Sequence, residues 1–336
     1  MTGPGLATPP PRAALVSLLV GDTPVASVPV TAGGREGMLR LKLESFNPCG
    51  SIKDRTAVAL FDSVTDQLDP VSGIVESTSG NLGVALAALS SAANVPFTAV
   101  VDPRTPAYAV RQLHRLGASV VVATDEDGRG GYLLSRLETV ERMLAERPTL
   151  RWTNQYENPA NPGAHEGGTA PELARQVPAD TVVLVAVSTG GTLAGMRSYA
   201  ARATKWTVVG VDVPGSYAVG HTEGPRLLSG IGSSKHSGFV AAGDGPIERV
   251  RPADAVAACV WLLEQTGIGV GASSGALVAA ALRLIERDRL SDVVCVCADG
   301  AGNYLDTVYS PAWRAVHGLG AEPPAAACGP VEWSSA

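Results

Sequence analysis

Two short segments of this chain hold residue types that can do chemistry together. In Ser188-Thr189-Gly190-Gly191-Thr192, a Val-rich run ends in two adjacent glycines flanked by hydroxyls, and helical periodicity follows. Such a turn lets backbone N–H groups and a helix dipole close on an anion, so it reads as a phosphate cradle; a plain strand-to-helix turn would look the same. It is neither a Walker loop nor Gly-x-Gly-x-x-Gly. The second segment is Asn47-Pro48-Cys49-Gly50-Ser51-Ile52-Lys53-Asp54-Arg55. Its Lys53 stands at the expected start of a helix, where desolvation lowers an amine's pKa and leaves a neutral nucleophile able to attack an aldehyde. A solvated surface lysine is the alternative reading. Two further loops are rich in small hydroxyl and amide residues: Ser77-Thr78-Ser79-Gly80-Asn81-Leu82-Gly83 and Gly271-Ala272-Ser273-Ser274-Gly275.

All four segments fall where strands are expected to end and helices to begin. Strands are expected over 73–76, 97–101, 119–123, 181–187, 207–213 and 293–298, and helices over 53–63, 81–93, 107–116, 132–145, 191–203, 254–265 and 275–287. This alternation predicts an α/β chain with mostly parallel, doubly wound sheets covered on both faces, its ligand site at the strands' carboxyl ends. At 336 residues there is room for about two domains.

Composition excludes several classes. With 26 Lys+Arg against 32 Asp+Glu and only 17% charged residues, the chain lacks the clustered cations of a sequence-independent nucleic-acid binder. No apolar run is long enough for a membrane span, and Ala13 to Val20 lacks the flanks of a signal peptide. Five scattered cysteines fit reduced thiols in a cytoplasm. Cys295 and Cys297 are expected to share a face of a buried strand rather than clip a metal. The five histidines show no ligand spacing and are assigned solvated or helix-face roles, so no metal is expected. The stretch His221-Thr222-Glu223-Gly224 reads as a surface loop or as one that moves over the site. Residues 1–12 and 321–336, rich in Pro, Ala, Gly and Ser, are expected to be disordered tails.

Taken in order, Asn47-Pro48-x-Gly50-Ser51-x-Lys53-Asp54-Arg55, Thr78-Ser79-Gly80-Asn81, Gln155-Tyr156-x-Asn158-Pro159-Ala160-Asn161-Pro162, the Ser188 to Thr192 turn and Gly271-x-Ser273-Ser274-Gly275-Ala276 resemble the cysteine synthase family of pyridoxal-phosphate enzymes. These enzymes have fold type II, like the tryptophan synthase β chain, and the likeness runs from about Leu18 to Leu305. It implies pyridoxal 5'-phosphate on Lys53 as a Schiff base, Asn81 on the ring hydroxyl, Ser273 at the pyridine nitrogen, and Ser188, Thr189, Gly190, Gly191 and Thr192 around the phosphate. Thr78, Ser79, Asn81 and Gln155 would grip the substrate α-carboxylate. A serine at the ring nitrogen makes a weaker electron sink than an Asp would, which suits β-elimination followed by addition at Cβ. The resemblance also implies a larger cofactor-binding domain over 13–47 and 156–320, a smaller mobile substrate domain over 48–155, and a homodimer acting on small amino-acid substrates.

Further stretches, including Gly130-Gly131-Tyr132-Leu133-x-x-Arg136 and Asn154-Gln155-Tyr156, are similar to one branch, the synthases of 2,3-diaminopropionate biosynthesis. That branch joins O-phospho-L-serine to L-glutamate. A dianionic leaving group asks for a cation, and Arg136 is the candidate, with Tyr156 and Ser188 in the same pocket. A solvated charge on the 132–145 helix is the competing reading of Arg136. A sulfhydrylase making cysteine from O-acetylserine would use the same catalytic residues. A nicotinamide enzyme built on the Gly190-Gly191 turn fails on its glycine spacing.

Overall fold

Period-two runs of Val, Ile, Leu and Cys, apolar toward both sides, build the centre of each of two sheets. The computed structural model describes residues 17, 19–220, 224, 226–320 and 322–334. The expected tail over 1–12, most of the Ala13 to Val20 stretch and the His221 to Glu223 segment lie outside the described residues. The strands are β1 (Val25–Ala32), β2 (Arg35–Leu43), β3 (Ile74–Ser77), β4 (Phe97–Val101), β5 (Ser119–Val122), β6 (Arg151–Trp152), β7 (Val182–Ala186), β8 (Thr207–Asp212), β9 (Ile247–Arg249), β10 (Asp292–Cys297), β11 (Ala326–Cys328) and β12 (Glu332–Ser334). The helices are α1 (Lys53–Val64), α2 (Asn81–Ala93), α3 (Ala107–Arg115), α4 (Leu133–Glu146), α5 (Ala160–Ala164), α6 (Ala170–Ala174), α7 (Gly191–Ala203), α8 (Pro252–Thr266), α9 (Ala272–Asp288) and α10 (Pro311–Val316). A single π turn, His165–Thr169, joins α5 to α6.

The larger sheet runs β11-β1-β2-β10-β7-β8-β9, with β12 also on β1, and is parallel from β2 to β9. In β10, Val293, Cys295 and Cys297 pack toward α8 and α9, while Val294 and Val296 pack on the opposite side with Leu193 and Met196 of α7. The smaller sheet, β5-β4-β3-β6, is wholly parallel. Its Ile74, Phe97 and Ala99 meet α1 and α2, and its Val75 and Val100 meet α4. Each fully buried Val or Leu contributes roughly 1.5–3 kcal/mol, which is why the strands must be apolar on both faces.

The β1–β2 hairpin was not among the expected strands. Gly33 and Gly34, both at positive φ, make its two-residue turn and set the register that pairs Ala32 with Arg35. The C-terminal stretch departs from its expectation as a disordered tail. Val30 pairs with Cys328 and Val25 with Ser334, both antiparallel. Composition misleads here because main-chain bonding to the free edge of β1 holds these strands, with Ala326, Cys328 and Val331 packed against the core.

One buried ionic group ties the two ends of the site's scaffold. Arg55 of α1 donates to Glu44 Oε2 (2.7 Å) and Glu172 Oε2 (2.9 Å), and Lys42 of β2, fully buried, also pairs with Glu172. Burial pushes the Glu172 carboxyl up, but the hydrogen bonds from Arg55 and Lys42 override it and hold it down at about 2.

Candidate functional site

Lys53 is fixed by the strand it follows in space rather than in sequence. Ile52 N donates to Ala298 O (2.8 Å) and Ser51 bridges Asp299, so the first residue of α1 is pinned at the carboxyl end of β10. Lys53 lines a cavity together with Ser188, Thr189, Gly190 and Thr192. Burial lowers the Lys53 pKa, with Asp299 and Glu44 opposing. The first two chemical segments of the sequence are thus one site.

The cradle itself follows β7. Gly190 takes φ +90° and opens α7, whose first-turn N–H groups have no partner within the helix. A Cβ on Gly190 would lie 2.1 Å from Ser237 Oγ, and one on Gly191 2.2 Å from Asn161 Oδ1. The turn is braced by those neighbours. Ser237 Oγ donates to Thr189 O (2.7 Å), and Asn161 Nδ2 donates to Thr189 Oγ1 (3.2 Å) and Gln155 O (2.7 Å). Asn161 stood within a quoted motif but had been given no role; nothing in sequence marks Ser237, which reaches the loop from 48 positions away. His165 corrects its expected solvated role: it is fully buried between Thr56 and Thr192.

At the other end, Asn81 Nδ2 donates to Asp299 Oδ2 (2.7 Å), Tyr304 OH donates to the same oxygen (2.9 Å), and Asn303 Nδ2 donates to Asn81 Oδ1 (2.9 Å). Asp299 Oδ1 is buried without a hydrogen-bond partner. Burial raises the Asp299 pKa, and Asn81, Tyr304 and Lys53 pull it back. Ser273, 1% exposed, sits in the first turn of α9 beside this group. Asp299 was missed as a site residue because only the fold brings a C-terminal carboxylate to Asn81.

The loop after β3 leads to Asn81 at the start of α2. Ser79 is exposed, whereas Thr78 Oγ1 is occupied in accepting from Gly83 N (3.0 Å) and Gly80 N (3.3 Å), so that hydroxyl shapes the turn. Gln155 Nε2 donates to Ser77 O (2.7 Å) and approaches Tyr156 OH. Beneath them lies a carboxylate that sequence reading passed over. Glu76, fully buried, accepts from Thr153 Oγ1 (2.5 Å), Trp152 Nε1 (3.2 Å), Gln155 N (3.1 Å) and Ser77 N (2.8 Å). Burial pushes its pKa up from 4.5 to about 7, against those four donors. Between these values the unfolded chain has released a proton the folded chain keeps, so this group's contribution falls as pH rises. Urea midpoints between pH 4.5 and 7 are expected to fall more steeply in the wild type than in Glu76→Gln; equal slopes would refute this.

Arg136 projects from α4 but is only 6% exposed, which corrects the solvated-charge reading. Its Nε lies 3.2 Å from Asp102, yet Nε and Nη1 are buried without an aligned hydrogen bond. Tyr156 is close enough that the Arg136 charge opposes the upward push of burial on its phenol. Arg226 packs on Gly131 within the field of Asp127, Arg104 and Arg136. Among the described residues no hydrogen bond joins Ser188 to this group; its hydroxyl donates to Gly232 O (3.2 Å). The described residues hold no cluster of three metal-ligating side chains, and no helix among them is long and apolar enough to cross a membrane.

The sequence profile of the family described as "Pyridoxal-phosphate dependent enzyme" matches residues 16–299. A protein of Ralstonia nicotianae named N-(2-amino-2-carboxyethyl)-L-glutamate synthase is 40% identical over 88% of this chain and 89% of its own length. One of the same name from Cupriavidus metallidurans is 37% identical over 93% of this chain and 96% of its own. Among solved structures, the O-acetylserine-dependent cystathionine β-synthase of Helicobacter pylori superposes with a TM-score of 0.77 at 27% identity, covering 88% of this chain and 98% of that one.

Pyridoxal phosphate suits the residues present. Glycines at 190 and 191 let Ser237 and Asn161 brace the turn closely, and the hydroxyl residues 188, 189 and 192 line the cavity it borders. An amine with lowered pKa shares the cavity, and an unpartnered carboxylate oxygen lies beside Asn81.

Proposed function

We propose, from the premise that this chain belongs to the family of pyridoxal-phosphate dependent enzymes, that it joins O-phospho-L-serine to L-glutamate by β-replacement, giving N-(2-amino-2-carboxyethyl)-L-glutamate and phosphate. The observation that carries this reading is the Arg136 guanidinium, buried beside Tyr156 with Nη1 unpaired and Nε ion-paired to Asp102 without an aligned hydrogen bond. A planar fork of that kind suits a phosphate dianion, and an acetate leaving group would not need it. Arg226 adds a second cation to the same region.

In this reading, the bound cofactor supplies an electron-withdrawing ring that stabilises negative charge at Cα. Ser79, Gln155 and the amides of the loop after β3 hold the substrate α-carboxylate, and Thr78 fixes the shape of that loop. The Lys53 amine, kept basic but largely desolvated, takes the proton from Cα, and the phosphate leaves Cβ toward Arg136. The glutamate amine then adds at Cβ, and Lys53 returns a proton to Cα. Residues 48–155 act as the mobile substrate domain. Arg129 donates to Ser234 O (3.0 Å) and stacks over Tyr217 at 4.9 Å, adding to the links that Asn81 makes with Asp299 and Arg55 makes with Glu44 and Glu172.

Mass spectrometry after incubation with paired substrates tests the reading. Phosphoserine plus glutamate is expected to yield the condensed amino acid and inorganic phosphate, and O-acetylserine plus sulfide little cysteine. The reverse preference would make the chain a sulfhydrylase.

A further inference from the structure

Three hydroxyls on three separate segments converge on one buried imidazole. His165 Nε2 is 3.2 Å from Thr56 Oγ1, three residues beyond Lys53 on α1, and 3.2 Å from Thr192 Oγ1, at the end of the phosphate cradle. His165 Nδ1 is 3.0 Å from Thr169 Oγ1, at the other end of the same π turn. The ring is fully buried, with Lys53 and Arg55 nearby, so it stays neutral. A neutral imidazole has one donor and one acceptor, and the hydrogen bond at one nitrogen decides the role of the other. Single π turns of this kind recur at functional sites.

The count of protons decides between the two arrangements. Thr192 has one hydroxyl proton, and a phosphate in the cradle accepts only. If Nε2 were bare, it would compete for that proton; with the proton turned to the phosphate, two lone pairs would face each other at 3.2 Å. With the proton on Nε2 the chain runs in one direction: Thr169 O–H to Nδ1, Nε2–H to Thr192 Oγ1, and Thr192 O–H to the phosphate. Each bond then polarises the next. Thr56 Oγ1 can accept from the same Nε2–H, which leaves the chain through Thr192 intact.

We propose that His165 is a positioning residue for the cofactor, holding its proton on Nε2 and donating it to Thr192 so that the Thr192 hydroxyl points into the phosphate cradle. The test is cofactor affinity, read by equilibrium dialysis of pyridoxal phosphate against each variant. Thr192→Val and His165→Leu are each expected to raise Kd about tenfold, the size of one hydrogen bond to a charged group. The double variant is expected to be no weaker than the worse single, since the histidine acts only through Thr192. His165→Gln, whose amide offers N–H near the Nε2 position, is expected to recover most of the loss, and Thr56→Val to bind normally. In ¹⁵N spectra of wild-type holoenzyme, the resonance lost in His165→Gln should carry the Nε2–H tautomer. Additive losses in the double variant, or a ring protonated on Nδ1, would overturn the proposal. Should His165→Leu fail to fold, the glutamine variant and the wild-type spectrum still decide.

Discussion

Lys53→Ala is expected to purify as a folded protein without visible absorbance and with turnover lowered by at least about 10⁴-fold, the upper end for loss of a single acid–base group. The size of the effect follows from one nitrogen serving twice, as anchor of the cofactor and as base at Cα. Stability should survive. Lys53 lines a cavity, and it begins a helix whose backbone is held independently through Ile52 N and Ala298 O. Phosphate release from phosphoserine and the absorbance of the gel-filtered protein measure both parts. A variant that kept its colour, or retained a tenth of wild-type turnover, would remove Lys53 from the centre of the chemistry.

Arg136→Lys is expected to separate the two classes of leaving group. Lysine keeps a cation beside Asp102, which avoids stranding a buried carboxylate, but it loses the planar fork. Losing one charge-assisted hydrogen bond, about 1.5–3 kcal/mol, should lower kcat/KM for phosphoserine by about 10- to 100-fold. Turnover of O-acetylserine should be unchanged. Equal losses on both substrates would mean that Arg136 supports the cleft without meeting the phosphate, and the choice of phosphoserine would lose its main support.

The parallel core was legible because its signal is local. β4, α2 and α7 begin and end where the pattern placed them, since apolar runs buried on both faces and Gly-rich helix starts leave little latitude. The β1–β2 hairpin was overlooked although Gly33-Gly34 between alternating residues is a turn signal; the hairpin's strands carry Arg35, Glu36, Arg40 and Lys42, which mask its apolar period. The stretch from α5 through α6 was missed because Pro162 and Gly163 within α5, and Gly167 and Gly168 within the π turn, obscure any helical reading. In the site, residues within contiguous motifs could be named from sequence: Lys53, Asn81 and the Ser188 to Thr192 turn. Asp299, Ser237, Glu76 and His165 could not, because each acts through a partner remote in the chain and its residue type has a commoner solvated use. The grouping of Ser188 with Arg136 and Tyr156 also exceeded what spacing can tell, since its hydroxyl turns to Gly232 instead.

β11 and β12 shield a rim that would otherwise be free to recruit strands from other molecules, the usual start of sheet-to-sheet clumping. Recognition there runs largely through main-chain pairing, with Ala326, Cys328 and Val331 resting on the core beneath.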